Sequence, residues 1–169
     1  NAAKDGLKLW NTMLEAGKPY NISPAGPSLI RRLEHGIRNY GQDVRLDNNP
    51  YEVGLGFAVD LNQEADFVGK ESLIQIKKEG LKKKLVGIEF GTDRMKGWNE
   101  DYWPVIENDK QIGQVTTAAY SPSLKKNIGY AMLPIERTEI GTKITILARG
   151  DKTGATVIKE PFVRGREKQ

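Results

Sequence analysis

From residue 81 onward the sequence consists of short segments rich in β-branched residues, and this pattern constrains the fold more than any other feature. Six such segments follow one another: KKKLVGIEF, YWPVIEN, KQIGQVTTAAY, KNIGYAMLP, TKITILARG and GATVIKEPF. The stretches between them, such as GTDRMKGWNED, SPSLKK and IERTEIG, are rich in turn formers. Several short strands at such spacing are typical of a small antiparallel barrel or sandwich.

The front part begins with an amphipathic helix. Ala3, Leu7, Trp10 and Leu14 recur at spacings of four, three and four residues, which places them on one face of a helix. Gly17 is a natural stop for this helix, and the proline that follows cannot continue it. Because an apolar face of this kind needs a partner, we expect the chain to be the back portion of a longer protein.

Three further segments complete the front part. SLIRRLEHGIRNYG predicts a second helix that ends at Gly41, with Leu29, Leu33, Ile37 and Tyr40 on one face. VGLGFAVDL predicts a buried strand, and DFVGKESLIQIKKEG predicts a short third helix. The sequence therefore predicts an α+β fold: an α/β region over residues 1–80, followed by a small antiparallel β-barrel domain over residues 81–169.

Composition excludes several kinds of site. The chain has no cysteine and a single histidine, His35, which excludes disulfide scaffolds, thiolate zinc sites and two-histidine metal sites. Its 26 basic and 22 acidic residues give a net charge of +4, too small a surplus to indicate a nucleic-acid partner. No apolar run approaches the roughly 18–20 residues of a transmembrane helix, and no secretory signal is visible. We therefore predict a cytoplasmic domain with no membrane partner and no metal.

Two groups of residues could bind a ligand. Arg31, Arg32 and Arg38 lie on the polar face of the second predicted helix, where they could hold a carboxylate or form an ordinary charged surface. Glu34 lies three residues after Arg31 and four before Arg38, so we expect it to pair with both. Aromatic residues at 98, 102 and 103 follow in an irregular segment, and these could stack on a flat ligand or pack over a domain seam.

Eight stretches of the chain resemble, in order and spacing, the C-terminal part of the glycine cleavage T protein (aminomethyltransferase) superfamily. They are LWNTMLEAGKPYNISPAG, RRLEHGIRNYGQD, NNPYEVGLGFAVDL, DFVGKESL, KKLVGIEF, WPV, IGQVTTAAYSPSLKKNIGYAMLP and PFV. Within the superfamily, the GKPYNI segment, the double arginine, NYG and SPSLKKNIGY are most similar to the dimethylsulfoniopropionate demethylases.

The resemblance implies the back part of a three-lobed fold around a folate channel, whose last lobe is a small β-barrel. It also implies transfer of a one-carbon unit from a small methylated sulfonium or amine donor to tetrahydrofolate, with the catalytic carboxylate in an N-terminal part of the enzyme outside this chain. Two alternatives are the aminomethyltransferase of glycine cleavage and a folate-binding module without catalysis.

The resemblance further suggests which residues contact the folate. Ser28 takes the place of the folate-contacting arginine of the aminomethyltransferases, which counts against that activity and is compatible with the demethylase branch. Arg32 matches the second arginine of the same motif, and two arginines follow the closing PF motif. The predicted folate-binding set is Ser28, Arg32, Tyr40, Trp98, Trp103, Tyr120, Arg164 and Arg166.

Overall fold

The structure is a computed structural model that describes residues 3–163. Six antiparallel strands form a closed barrel in the order β1-β4-β3-β2-β5-β6, and β6 pairs back to β1. Each of the six predicted segments supplies one strand, so the predicted barrel is confirmed. The strands are β1 (Lys83–Phe90), β2 (Trp103–Glu107), β3 (Lys110–Ser121), β4 (Lys126–Pro134), β5 (Lys143–Ala148) and β6 (Asp151–Ile158).

The barrel closes around an apolar core, because alternate residues of each strand point inward. Phe90 and Trp103 meet edge to face inside it, with 5.8 Å between their ring centroids. The other buried members of this core are Val86, Ile88, Val105, Val115, Ala118, Ala131, Leu133, Ile144, Ile146, Ala155 and Val157.

Three α-helices precede the barrel: α1 (Gly6–Gly17), α2 (Leu29–Glu34) and α3 (Lys70–Glu79). The first ends at Gly17, and the third ends immediately before Gly80, as predicted from the sequence. A second apolar cluster lies between α2 and the barrel, where Leu33 packs with Tyr130 of β4 and Leu85 of β1. This cluster fixes α2 against the outside of the barrel.

The second helix is much shorter than predicted. It ends at Glu34 because Gly36 adopts φ +78°, a left-handed conformation that a helix cannot continue through. Ile37 and Tyr40 therefore lie outside the helix, and 57% and 68% of their surfaces are exposed. The prediction of one helix that runs to Gly41 is wrong.

The predicted strand at VGLGFAVDL is also absent from the fold. These residues form turns and a single 3-10 turn, Gly56–Ala58. Gly54 adopts φ +74°, which interrupts an extended run, and Phe57 at the 3-10 turn is 87% exposed. Only Val53 of this stretch is fully buried, in the cluster beneath α2. An apolar composition was mistaken here for a buried strand.

The apolar face of α1 is uncovered. Leu7, Trp10 and Met13 are between 50% and 71% exposed, and the main contacts of the helix are with the 3-10 turns on either side of it.

None of the helices between residues 3 and 163 is long and apolar enough to cross a membrane. The division of the chain near residue 80 stays a prediction.

Candidate ligand-binding cleft

Three of the predicted site residues, Ser28, Trp98 and Tyr120, line one cleft of about 390 Å³. We call it the aromatic cleft; it lies between the start of α2, the loop of residues 91–102 that joins β1 to β2, and the end of β3. Leu29 of α2 and Arg94 of the loop also line it. Residues from three separate parts of the sequence therefore meet at one concave surface.

The cleft has aromatic walls and a cation. Trp98 is 58% exposed and forms an isolated bridge with Ala119 of β3. The guanidinium of Arg94 lies over the ring of Tyr120, 4.7 Å from its centroid. A guanidinium stacked in this way keeps its edge N–H groups available for a carboxylate. Arg94 was not selected from the sequence, where it is one cation within a turn-rich segment.

Ser28 has a local structural role at the rim of the cleft. Its backbone is extended, and its hydroxyl accepts a hydrogen bond from the backbone N–H of Arg31 at 3.3 Å. Serine in this arrangement is a preferred N-cap because it satisfies one of the helix's unpaired N–H groups. Ser28 thus caps the start of α2.

Arg32 lies in a buried network outside the aromatic cleft. Its guanidinium donates to Asp43 Oδ2 at 2.6 Å, Gln42 Oε1 at 2.9 Å and Thr117 Oγ1 at 3.1 Å. Asp43 is buried and also accepts from the hydroxyls of Thr116 and Thr117, at 2.8 and 2.6 Å. The network joins α2 and the loop after it to β3, and most donors of Arg32 are engaged within the protein.

Glu34 does not pair with Arg31 and Arg38 as predicted. It is buried and accepts a hydrogen bond from the hydroxyl of Ser121 at the end of β3. Arg38 instead pairs with Glu160 at 2.6 Å. The physical reason is the early end of α2, since Arg38 no longer lies one helical turn after Glu34.

The segment after β6 returns to α2. Phe162 packs on Tyr130 with 5.7 Å between ring centroids, and the backbone N–H of Val163 donates to the carbonyl of Glu34 at 2.9 Å. The Arg38–Glu160 ion pair lies in the same place. The two predicted arginines that follow, Arg164 and Arg166, lie outside the described residues.

We expect the Glu160 carboxyl to make stability depend on pH. Burial raises its pKa above the ordinary value of 4.5, against the opposing effect of Arg38, and Oε2 is buried without a hydrogen-bond partner among residues 3–163. A raised pKa means that the folded state holds the proton more tightly than the unfolded state does. The protonated carboxyl therefore contributes to the free energy of unfolding at low pH, and that contribution is lost as the pH rises through the folded pKa. The free energy of unfolding of the wild type minus that of Glu160→Gln should therefore fall as the pH rises above 4.5.

Urea denaturation of both proteins over a pH series measures this difference. A difference that stays constant or increases with pH would show that the carboxyl is not destabilised by its burial.

Two predicted residues lie away from the aromatic cleft. Tyr40 is exposed in the loop after α2 and does not line the cleft, while Trp103 is 7% exposed and packs in the barrel core. Tyr102 beside it donates from its hydroxyl to the carbonyl of Gln42 at 2.8 Å, so it joins the barrel to the loop after α2. Across the described part of the chain, no three His, Asp or Glu side chains come together as a metal site would require.

Two family models match the chain. One is described as the glycine cleavage T-protein C-terminal barrel domain and matches residues 83–164. The other is described as the GCVT N-terminal domain and matches residues 1–63. The first match covers all six strands of the barrel, and the second covers α1, α2 and the loop that carries Asp43.

Similar proteins agree with these models. The chain is 42% identical over 163 residues to an aminomethyltransferase of Geobacillus sp. (strain WCH70), a match that covers 95% of this chain and 44% of the relative. An aminomethyltransferase of Bacillus subtilis (strain 168) is 38% identical over 95% of this chain and 44% of its own length. The chain therefore spans less than half the length of the curated relatives it matches.

A solved structure is also similar. The crystal structure of the glycine cleavage system aminomethyltransferase T from Bartonella henselae has a TM-score of 0.70 and 27% sequence identity, over 78% of this chain and 37% of that one. These comparisons give no support to a closer relation with the dimethylsulfoniopropionate demethylases. Together, the two matched models, the relatives and the shared barrel establish that the chain belongs to the glycine cleavage T-protein superfamily.

Proposed function

We propose that this chain is the C-terminal part of a tetrahydrofolate-dependent one-carbon transferase, and that its aromatic cleft binds part of the folate. Membership of the superfamily supports the reaction class. The observation that carries the proposal for the site is the combination of an exposed Trp98, Tyr120 and the Arg94 guanidinium at one concave surface. A cytoplasmic location remains a prediction.

The chemistry of the cleft fits one portion of tetrahydrofolate. The cofactor has a flat pterin, an aromatic linker and an anionic glutamate; aromatic side chains suit the first two and a guanidinium suits the third. A volume of about 390 Å³ is near the lower end of the roughly 300–1,000 Å³ of small-molecule sites, so the cleft fits the linker and glutamate better than the whole cofactor. Bound tetrahydrofolate would supply the nucleophilic nitrogen that receives the one-carbon unit.

The residues of this chain would bind and orient the folate rather than move protons. The buried carboxylates of Glu34, in α2, and of Asp43, in the loop after it, are already hydrogen-bonded by Ser121 and by the Arg32 network. A catalytic carboxylate has to reach the reacting atoms in a suitable geometry. We therefore assign that carboxylate to the part of the protein that lies outside this chain.

That N-terminal part is also the proposed partner of α1. The exposed face of Leu7, Trp10 and Met13 is apolar, and the relatives are more than twice as long as the matched region. Burial of these side chains against the additional region would remove apolar surface from water. This contact would complete the folate channel.

The donor is best assigned as an aminomethyl group. The relatives are named aminomethyltransferases, and this supports the glycine cleavage reaction over sulfonium demethylation. Ser28 favours the second candidate, demethylation, because it lacks the guanidinium of the aminomethyltransferases. Arg94 lies on the same cleft and supplies a cation there, so Ser28 alone does not exclude the aminomethyl donor.

The products distinguish the two donors. An aminomethyl carbon is at the oxidation level of formaldehyde, so its transfer yields methylenetetrahydrofolate and releases ammonia, whereas methyl transfer yields methyltetrahydrofolate. The assay requires a protein that carries this chain together with the additional region of its relatives. We expect methylenetetrahydrofolate from an aminomethyl donor; methyltetrahydrofolate from a sulfonium donor would establish the demethylase instead. Folate binding without turnover of either donor would establish a non-catalytic module, and a protein that binds no folate would refute the proposal.

We expect Trp98→Ala to weaken folate binding by about 1 kcal/mol, roughly fivefold in Kd, through the loss of one stacking contact. Because Trp98 is 58% exposed, the melting temperature should change little. Titration of the intact protein with 5-formyltetrahydrofolate, a chemically stable folate, measures the affinity. Tyr20→Ala removes an aromatic side chain that is 79% exposed and does not line the cleft, so it is the matched control. Equal affinities for both variants would exclude Trp98 from the site.

A further inference from the structure

The 91–102 loop carries two residues of the aromatic cleft, Arg94 and Trp98, yet it contains little regular secondary structure. A second cleft of about 490 Å³ lies at one end of the barrel, where the buried side chains of Phe90 and Trp103 are among the residues that line it. Arg94 lines both clefts. This part of the loop therefore separates two concave surfaces; Arg94 is exposed, and the next residue, Met95, is partly buried and packs on the barrel core.

Asn127, at the start of β4, holds the loop on both sides of Arg94. The side chain is 5% exposed, and its Oδ1 accepts the backbone N–H of Met95 at 2.9 Å. Its Nδ2 donates to the carbonyl of Asp93 at 2.8 Å and to that of Phe90 at 3.2 Å. One buried amide thus bonds both neighbours of Arg94.

Asn99 holds the other end of the loop, beside Trp98. The side chain is 3% exposed; Oδ1 accepts the N–H of Ala118 at 2.6 Å, and Nδ2 donates to the carbonyl of Thr116 at 3.2 Å and to that of Asp101 at 3.0 Å.

The Asn99 bonds replace part of the sheet. β2 pairs with β3 only as far as Val115, and a β-bulge interrupts the β3–β4 pairing between Val115 and Thr117. The edge of β3 beyond Val115 would otherwise expose unpaired backbone groups. Asn99 occupies this edge and so places the adjacent Trp98 against β3.

We propose that Asn127 and Asn99 are positioning residues, which hold the 91–102 loop so that Arg94 lies over Tyr120 and Trp98 lines the aromatic cleft before a ligand arrives. A loop that is already ordered loses little conformational freedom when a ligand binds. The affinity is therefore higher than it would be for the same loop in a mobile state. The identity of the ligand, an aromatic carboxylate of the folate type, rests on the proposed function. The ordering of the loop does not depend on it.

Isosteric substitutions test the proposal. Asn127→Asp and Asn99→Asp keep the size and the acceptor Oδ1 of each side chain and remove the two donated hydrogen bonds. We expect two hydrogen-bonded backbone amides of the loop to exchange at least about fivefold faster, as the loss of one hydrogen bond predicts. They are those of Met95, which donates to Asn127, and of Asn99, which donates to the carbonyl of Ala118. In the intact protein the Kd for 5-formyltetrahydrofolate should rise about two- to tenfold, the range expected when one or two side chains must be ordered on binding.

Two controls separate positioning from general effects. Ile146→Val removes one methyl group from a barrel-core residue that lines neither cleft and lowers stability, and Asn62→Asp adds the same charge at an exposed site. Both should leave loop exchange and affinity unchanged. Unchanged exchange of the Met95 and Asn99 amides in the asparagine variants would overturn the proposal. Faster exchange with unchanged folate affinity, in a protein that binds folate, would also overturn it. If the wild type binds no folate, the proposed function fails, and the exchange rates alone decide whether the asparagines order the loop.

Discussion

Arg32→Ala is expected to lower the free energy of unfolding by about 3–5 kcal/mol, because it leaves a buried carboxylate without its cation. The Asp43 side chain has no exposed surface, and that of Arg32 is 15% exposed. The hydroxyls of Thr116 and Thr117 and the backbone N–H of Asn39 would still donate to Asp43, but these neutral hydrogen bonds do not replace a guanidinium. Urea denaturation followed by circular dichroism measures the loss.

Arg45→Ala is the matched control for this prediction. Arg45 and Asp47 are 3.8 Å apart, with 58% and 70% of their side chains exposed, and exposed pairs of this kind contribute about 0–1 kcal/mol. If Arg32→Ala lowers the free energy of unfolding no more than Arg45→Ala does, the buried network does not hold α2 against β3. A loss of folate binding in Arg32→Ala would not by itself make Arg32 a ligand contact, because α2 also forms one side of the aromatic cleft.

The six strands could be predicted because their signal is local. Each strand carries its own β-branched residues and is bounded by its own turn formers, as in KITILA of β5 between Gly141 and Gly150. The order of the strands within the barrel could not be predicted in the same way. It depends on pairings such as Ile88 with Val157, which lie far apart in the sequence.

The ends of the front elements depended on single glycines. Gly36 and Gly54 adopt positive φ, and this ends α2 and prevents a strand at VGLGFAVDL. Glycine also occurs within helices and strands, so its presence alone does not reveal which conformation it takes. The periodicity that placed Ile37 and Tyr40 on a helix was therefore misleading.

Three residues of the predicted folate-binding set meet at the aromatic cleft, while their contact with folate stays a prediction. Ser28, Trp98 and Tyr120 follow from the resemblance and from aromatic composition, and they do lie together. Arg94 was missed because its significance depends on the ring of Tyr120, 26 positions later in the sequence, which the barrel brings to 4.7 Å. Glu34 was assigned the wrong partners for the same reason, since Ser121 is its actual donor.

The two tryptophans that the sequence treated as equivalent should now behave differently. Trp103→Ala is expected to lower the free energy of unfolding by about 3–5 kcal/mol, because it removes a large side chain from the barrel core and leaves a cavity beside Phe90. Trp98→Ala should lower the free energy of unfolding far less, since the Trp98 side chain is 58% exposed. Denaturation with urea gives both values.

Folate affinity separates the two roles further. Trp103 does not line the aromatic cleft, so the folded fraction of Trp103→Ala should bind 5-formyltetrahydrofolate as tightly as the wild type, provided that the titration is made at a temperature where the variant is folded. Trp103→Phe keeps an aromatic ring against Phe90 and should recover a large part of the lost stability. If Trp103→Ala remains as stable as the wild type but loses affinity, Trp103 belongs to the folate site rather than to the core, and the assignment of binding to the aromatic cleft is wrong.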